Sequence, residues 1–263
     1  MAGNSAFVPI NERGWRRGLR NLLHAGFAEW WRTNNWWTHA LIWSGVLGLM
    51  MAGILFSGEG AAGLDAVGFV TLFGGMFPTV AVVIIMQGAI VGEKQNGAAE
   101  WILSKPVSRT AYILGKFVPN AISMPVAMLL IPMVVAGIVL RIAGVRVAPV
   151  NFLAGFAVVA LNMLFYVALT VMLGAVFKRR GGVIGIPLGV LFGQQYVIGA
   201  VPALAKVLPW GLALPIQGEL SNSVAGALLV GRAPETWLPV ISTAILTVVF
   251  VVVAVWRFRE VEL

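Results

Sequence analysis

The residues best suited to chemistry lie in one charged stretch, Gly92 to Lys116, which reads GEKQNGAAEWILSKPVSRTAYILGK. Ala98, Trp101 and Ile102 recur at helical spacing and predict the apolar side of a short helix. Pro106 is expected to end this helix. The charged residues that project elsewhere are Glu93, Lys94, Glu100 and Lys105. Such a helix is suited to docking a soluble protein, and the alternative is a solvated basic loop that only enforces topology.

Sequence motifs for nucleotide or ester chemistry are absent. The chain has one Gly-Lys pair, Gly115-Lys116, and Phe117 follows it, so no phosphate-binding G-x-x-x-x-G-K-[ST] loop is present. Neither H-E-x-x-H nor G-x-S-x-G occurs. The only histidines are His24 and His39, and there is no cysteine, which is too little for a metal cluster. We therefore predict no catalytic residue, no metal and no cofactor in this chain.

Composition indicates a membrane protein. Of the 263 residues, 59% are hydrophobic and only 11% are charged, whereas about 25% are charged in an ordinary soluble protein. The mean hydropathy is +0.91. The net charge of +8 could suggest a nucleic-acid-binding protein, but its cations punctuate apolar runs instead of clustering on a polar face. We predict an all-α polytopic membrane protein that does not bind nucleic acid.

Six apolar runs are long enough to cross the hydrocarbon core as helices. They extend from Thr38 to Phe56, Val67 to Val91, Phe117 to Leu140, Phe152 to Phe177, Val183 to Val201 and Trp237 to Val255. The third run contains Pro119, Pro125 and Pro132. A spanning helix tolerates proline when its neighbours satisfy the freed carbonyls, and we expect kinks at these residues.

The distribution of Lys and Arg predicts the orientation of these six helices. If the amino terminus is cytoplasmic, the inner segments hold all but four of the 18 basic residues. The outer four are Arg141, Arg146, Lys206 and Arg232. By the positive-inside rule both termini are then cytoplasmic, in the inner (plasma) membrane of the cell.

The segments outside the spans show two further patterns. Residues 1–37 form the cytoplasmic amino-terminal part, before a six-helix domain over 38–263. Within this part, one side of a helical pattern is apolar and consists of Trp15, Leu19, Leu22, Leu23, Phe27 and Trp30. The opposite side is basic and consists of Arg13, Arg16, Arg17, Arg20 and His24. This predicts an amphipathic helix at the membrane interface; the alternative is a helix that merely begins the first span. Short apolar pieces broken by proline over 202–236 predict an external insertion, either a cap or a re-entrant element.

The fifth span carries Gly185, Gly189 and Gly193, one every four residues, followed by Gln194 and Gln195. A stripe of small residues lets another helix approach closely. In one interpretation the stripe packs against another helix of the same chain, and neighbouring groups satisfy the two glutamine amides. In the other, this helix lies at the axis of a dimer, beside the translocation path. Four other polar residues in the spans are expected to bond helices together rather than to bind substrate, and they are Gln87, Asn120, Asn162 and Thr170.

The stretch from 92 to 116 resembles the first cytoplasmic loop of the ABC type-2 exporter permeases. The residues that carry the resemblance are Glu93, Lys94, Gly97, Leu103, Ser104, Pro106, Val107, Ser108, Arg109, Gly115 and Lys116. The similarity to that family extends over the rest of the chain. It includes the amphipathic amino-terminal helix, the six spans, the basic inner loop between spans four and five, the external insertion before span six and the Arg-Phe-Arg-Glu tail. One departure is Ala98, where the family commonly has Thr.

The resemblance implies that this inner loop contains a coupling helix, which docks in a groove of a separate ATP-binding subunit. Two such subunits, which bind ATP and Mg, would act on two permease chains in a homo- or heterodimer. The residues implied in coupling are Glu93, Lys94, Gly97, Glu100, Trp101, Ser104, Pro106 and Arg109. Trp101 is the expected apolar anchor, with the four charged residues of this set at the rim of the contact.

We accordingly predict the permease subunit of an ATP-driven exporter, with no ATPase activity of its own. A different class remains open, namely a membrane scaffold in an ATPase-linked assembly or signalling complex. A secondary transporter is a third candidate, but it is disfavoured because no acidic residue lies within the predicted spans.

Overall fold

The computed structural model describes residues 12–55, 62–216 and 222–260, and the regular elements in these ranges are helices. In chain order they are α1 (Leu19–Trp31), α2 (Asn35–Leu55), α3 (Ala62–Met86), α4 (Val91–Gln95), α5 (Ala98–Leu103), α6 (Arg109–Pro125), α7 (Ile131–Ile142), α8 (Pro149–Val176), α9 (Arg180–Ala200), α10 (Trp210–Ala213), α11 (Val224–Leu229) and α12 (Leu238–Glu260). The prediction of an all-α protein is confirmed.

Within the described residues, six helical stretches are long and apolar enough to cross a membrane, which confirms the predicted count. They are α2, α8, α9 and α12, together with the stretches Ala66–Gln95 and Arg109–Ile142. The stretch Ala66–Gln95 extends beyond the predicted second span and so includes Glu93, which we had placed in a loop. Its carboxylate is ion-paired with Lys116, so this negative charge is not isolated at the helix end.

The third span is irregular, as its prolines predict. Pro119 and Pro125 lie inside α6, and Val126–Leu130 forms a π-helical turn before α7. Proline lacks the N–H that continues the helical ladder, and a π-helical turn is one way to accommodate the resulting mismatch. The expected distortion of this span is confirmed.

Helix α8 is the centre of the bundle. In its apolar stretch 72% of the residues are buried inside the protein, against 17% for α2 and 22% for α9. Helix α3 approaches α8 closely, because a Cβ on Gly74 would lie 2.8 Å from Val159. Asn162 adds an interhelical bond, since its amide donates to the Gly75 carbonyl at 3.0 Å. Contacts that end on α8 therefore reach the core of the molecule.

Helix α1 is separate from α2 and packs on α6. The chain leaves α1 at Arg32 before α2 begins, so the alternative that this helix merely begins the first span is wrong. A Cβ on Gly115 would lie 2.7 Å from Leu22, and the indole of Trp30 donates to Asn120 at 2.8 Å. Part of the apolar side of α1 therefore rests on protein.

The predicted insertion is packed into the bundle in the residues that the structure describes. Helices α10 and α11 are buried and contact α3 and α8. Gly75 permits the approach of Ala213, and Gly155 permits that of Leu229, because a Cβ at either glycine would come within 2.8 Å of its neighbour. Residues 217–221 lie outside the described ranges. The insertion thus forms part of the helical core.

Candidate functional site

A tight turn separates α4 from α5 in the stretch from 92 to 116. Gly97 adopts φ +75°, a left-handed conformation that glycine takes without the steric cost of a Cβ. Asn96 supports the turn, since its side-chain oxygen accepts a hydrogen bond from the Ala98 amide at 3.0 Å. The turn therefore joins α4 to α5 with only Asn96 and Gly97 between them.

One side of α5 is exposed, and we call it the α5 surface. It consists of Glu100, Trp101, Ser104, Lys105 and Pro106. The Trp101 side chain is 66% exposed, and Lys105 Nζ lies 5.1 Å from the centre of its ring. Ser104 Oγ donates to the Trp101 carbonyl at 2.8 Å.

The opposite side of α5 faces the protein. Ala99 is fully buried, and Ile102 and Leu103 pack against the main core. The expectation that Trp101 shares an apolar side with Ile102 is therefore wrong. The helix instead buries its aliphatic residues and leaves the indole in the open, where it can bind another molecule.

Glu93 joins α4 to α6. Its Oε2 accepts a hydrogen bond from the Tyr112 hydroxyl at 2.7 Å, and its Oε1 is ion-paired with Lys116. The Tyr112 ring is fully buried and stacks on Phe258 of α12, with ring centres 5.0 Å apart. One carboxylate thus ties α4 to α6, and the stacked Tyr112 ring extends the contact to α12.

Lys94 joins α4 to the end of α8. Its ammonium donates to the carbonyl oxygens of Gly174 and Ala175 at 2.9 and 2.8 Å. These carbonyls lie in the last turn of α8, where no partner is available within the helix and the helix dipole favours a cation. Lys94 Nζ also lies 5.4 Å from the ring centre of Phe258. This cation satisfies the terminus of the most buried helix.

Arg109 makes the same kind of contact with α12. Its guanidinium donates to the Phe258 and Arg259 carbonyls at 3.2 and 2.9 Å. Arg259 returns to α6, where it donates to Thr110 Oγ1 at 2.9 Å. We expected Glu93, Lys94 and Arg109 at the rim of a docked partner, but each has partners inside this chain. Of the four expected rim charges, Glu100 is the one whose side chain is exposed.

The segment before α1 also contacts the stretch from 92 to 116. The Ser108 amide donates to the Arg17 carbonyl at 2.9 Å, and Ser108 Oγ donates to the Trp15 carbonyl at 2.5 Å. The same hydroxyl caps α6 by accepting from the Ala111 amide. Gly18, at φ +80°, leaves room for Val107. The loop is therefore held against α1 as well as against the spans.

The stretch from 92 to 116 contacts the basic segment between α8 and α9. The Gln95 side chain donates to the Lys178 carbonyl at 3.1 Å and accepts from Arg180 Nε at 3.3 Å. Gln95 therefore joins α4 to the segment that connects α8 with α9.

The glycine stripe of α9 is uncovered in the single chain. A Cβ at Gly185, Gly189 or Gly193 would meet no atom within 4 Å. No described part of this chain therefore approaches these three glycines closely, and the role of the stripe stays a prediction.

The two glutamines after the stripe differ. Gln194 is buried: its amide donates to the Tyr166 hydroxyl at 3.0 Å, and its oxygen accepts from the Trp210 amide at 2.9 Å. It therefore joins α8, α9 and α10 within the chain. Gln195 is exposed beside the open stripe.

Two of the four other polar residues that we expected to bond helices together do so. Asn120 holds Trp30 of α1, and Asn162 holds α3. Thr170 differs, because its hydroxyl donates to the Tyr166 carbonyl of its own helix at 2.7 Å. Gln87 differs too, since its buried Oε1 has no hydrogen-bond partner among the described residues.

Sequence reasoning missed Tyr112 and Phe258. Both aromatic rings lie under the loop, where they contact Glu93, Lys94 and each other. Nothing in their local sequence marks them, because their partners are far away in the chain. The basic tail did offer one signal, since Arg257 and Arg259 indicated an inner helix end near the loop.

Comparison with known proteins decides the family. Residues 51–263 match the family described as "ABC-2 family transporter protein". The chain belongs to the ABC-2 transporter family. It is thus a multi-pass membrane protein and the permease subunit of an ABC transporter, a transport component that partners an ABC ATP-binding subunit. No curated protein matches the chain.

The family match covers most of this ABC-2 permease. It begins inside α2 and includes the later spans together with the α5 surface. Helix α1 lies outside the match, although it contacts α6 through Trp30 and Asn120. The loop of the ABC-2 permease that is bonded to three spans is therefore within the matched region.

Proposed function

We propose that this permease exports its substrate as one of two permease chains driven by two cytoplasmic ATP-binding subunits. ATP and Mg are bound by those subunits, and this chain supplies no catalytic residue. Both termini lie in the cytoplasm, and the plasma membrane is the site of action. The export direction rests on the resemblance of residues 92–116 to exporter permeases.

The α5 surface is the docking site in this proposal, and the exposure of Trp101 is the observation that carries it. An indole that is 66% exposed beside charged groups is the kind of residue on which binding energy concentrates in protein interfaces. Glu100 and Lys105 offer one charge of each sign next to it. Such an arrangement orients a soluble partner as well as holding it.

Transmission of movement follows from the contacts below the α5 surface. Glu93 is bonded to α6, Lys94 to α8, and Arg109 to α12. Energetic coupling between distant sites travels through such chains of packed and hydrogen-bonded groups. A push on α5 by the ATP-binding subunit therefore reaches three spans at once.

The second permease chain packs on the glycine stripe of α9. The stripe is open in the single chain, and small residues let two helices approach closely in a membrane. Exposed Gln195 then lies beside the contact, at the edge of the translocation path. The same face serves a homodimer or a heterodimer.

The test is a comparison of two tryptophan variants. Trp101→Ala should weaken binding of the ATP-binding subunit about thirty-fold, because truncating an anchor costs about 2 kcal/mol. Trp256→Ala is the matched control, since Trp256 is also exposed and also lies beside a cation, Arg257.

Binding should be measured with the purified permease in lipid nanodiscs, together with ATP turnover of the complex. We expect Trp256→Ala to behave like the unmodified chain in both measurements. If Trp101→Ala also binds and stimulates the ATP-binding subunit normally, the α5 surface is not the docking site.

A further inference from the structure

A groove with two chemically different ends lies between α7 and the start of α8. Its volume is about 810 Å³, which is within the range of small-molecule sites, about 300–1,000 Å³. The apolar part is lined by Val134, Ile138 and Leu153, with Phe152 beside them, and the other end carries Arg141 and Arg146.

The turn after α7 brings the two arginines together. Gly144 adopts φ +83°, the Gly144 amide donates to the Arg141 carbonyl, and the Val145 amide donates to the Leu140 carbonyl at 2.9 Å. This is the Schellman arrangement, which ends a helix and reverses the chain. Arg141 in the last turn and Arg146 just beyond the reversal therefore line the same end of the groove.

The basic end has no acidic counterpart in the part of the chain that the structure describes. None of the lining residues is Asp or Glu, and neither arginine takes part in an ion pair there. Lys206 on the same side of the bundle differs, because it is paired with Glu235 at 2.5 Å. Arg141 has a local role at the end of α7 through the helix dipole, but Arg146 lies outside any helix.

The apolar part of the groove opens towards the surroundings of the bundle. Val134, Ile138 and Leu153 are 48%, 55% and 58% exposed, and all three lie in helices of candidate membrane spans. Exposed aliphatic side chains at that depth face lipid chains. From Val134 to Arg141 the helix rises about 10 Å, so an acyl chain along α7 leads directly to the guanidinium groups.

We propose that this groove binds one anionic phospholipid, with its phosphate on Arg141 and Arg146 and an acyl chain against Val134 and Ile138. Arginine suits this task because its planar fork matches phosphate oxygens. The lipid lies in the leaflet opposite the α5 surface, since Arg109 and Arg141 are at the two ends of the same span. The proposal is independent of the proposed docking and export.

The test is native mass spectrometry of the full chain in detergent, with phosphatidylglycerol and phosphatidylcholine of identical acyl chains. The anionic lipid should bind about thirty-fold more tightly, as expected for two arginines beside a headgroup of net negative charge, because phosphatidylcholine carries the same phosphate but neutralises it with its choline cation. In the variant Arg141→Gln/Arg146→Gln this preference should vanish. Arg232→Gln is the matched control, because Arg232 is an exposed arginine outside the groove.

Two further variants separate the lipid from other occupants. Val134→Trp fills the apolar part without altering charge, and it should lower phosphatidylglycerol binding as well. The proposal is overturned if the double Gln variant keeps the full preference for phosphatidylglycerol over phosphatidylcholine. It is also overturned if inorganic phosphate alone displaces the lipid. A disulfide between two copies carrying Ile138→Cys would also overturn it, because a second chain would then occupy the groove.

Discussion

Lys94 Nζ lies 2.8 Å from the carbonyl oxygen of Ala175. The contact joins α4, which leads into the exposed α5 surface, to the last turn of α8, which is the central helix of the bundle. A cation placed on these carbonyls satisfies acceptors that the helix itself leaves unpaired. Lys94 therefore bonds α4 directly to the central helix.

Lys94→Met should lower stability and uncouple ATP hydrolysis from transport. The variant keeps an unbranched side chain of similar length but removes two charge-assisted hydrogen bonds, which costs about 2 kcal/mol. The thermal unfolding midpoint of the purified chain should fall, while binding of the ATP-binding subunit remains. Transport per ATP hydrolysed is the informative measurement.

Lys105→Met is the control for that variant. Lys105 is exposed and contacts the Trp101 ring, so its loss should leave the unfolding midpoint unchanged. If Lys94→Met matches the unmodified chain in stability and in coupling, the contact with α8 has no role in transmission.

Gly115→Ala should displace α1 from α6. The added Cβ would lie 2.7 Å from Leu22 Cβ, and overpacking of this kind costs about 1–3 kcal/mol. Gly45→Ala is the matched control, because a Cβ there would meet no atom within 4 Å. Proteolysis of the amino-terminal segment should accelerate in Gly115→Ala only. Equal protection in both variants would show that α1 does not depend on this close approach.

Gly189→Leu should reduce transport without reducing membrane insertion. The bulk would separate two permease chains if they meet at the α9 stripe, whereas the apolar Leu preserves hydropathy. Cysteines at 189 or 193 should crosslink two copies, and a cysteine at exposed Val248 of α12 should not. Full activity of Gly189→Leu together with no crosslink at 189 or 193 would place the dimer contact elsewhere.

The proposed orientation can be measured by cysteine labelling, because the chain has no natural cysteine. Single cysteines at Ser104 and Arg179 should react with a membrane-impermeant maleimide only from the cytoplasmic side, and one at Ala148 only from the other side. All three positions are exposed. Labelling of Ser104 and Arg179 from different sides would contradict the arrangement of the spans.

Much of the fold could be predicted because membrane spans depend on local composition. A run of about 20 apolar residues identifies a span without any knowledge of its neighbours, and all six were found in this way. The irregular third span was likewise predictable from Pro119, Pro125 and Pro132, since proline acts on its own helix.

The site was harder to predict because its charges are satisfied by distant backbone. The contacts of Lys94 with Gly174 and of Arg109 with Phe258 depend on helix ends that only the folded bundle brings together. The same holds for Trp101: periodicity placed it with Ile102, but the short α5 buries Ala99 and leaves the indole outside.

Crosslinking from the α5 surface tests the central claim most directly. Ser104→Cys, modified with a benzophenone maleimide, should form a covalent adduct with the ABC ATP-binding subunit on illumination, because Ser104 lies next to Trp101 on the exposed side of α5. Ala148→Cys, exposed at the opposite end of the bundle, should form none. Adducts from Ala148→Cys with none from Ser104→Cys would contradict docking of the ATP-binding subunit on the α5 surface.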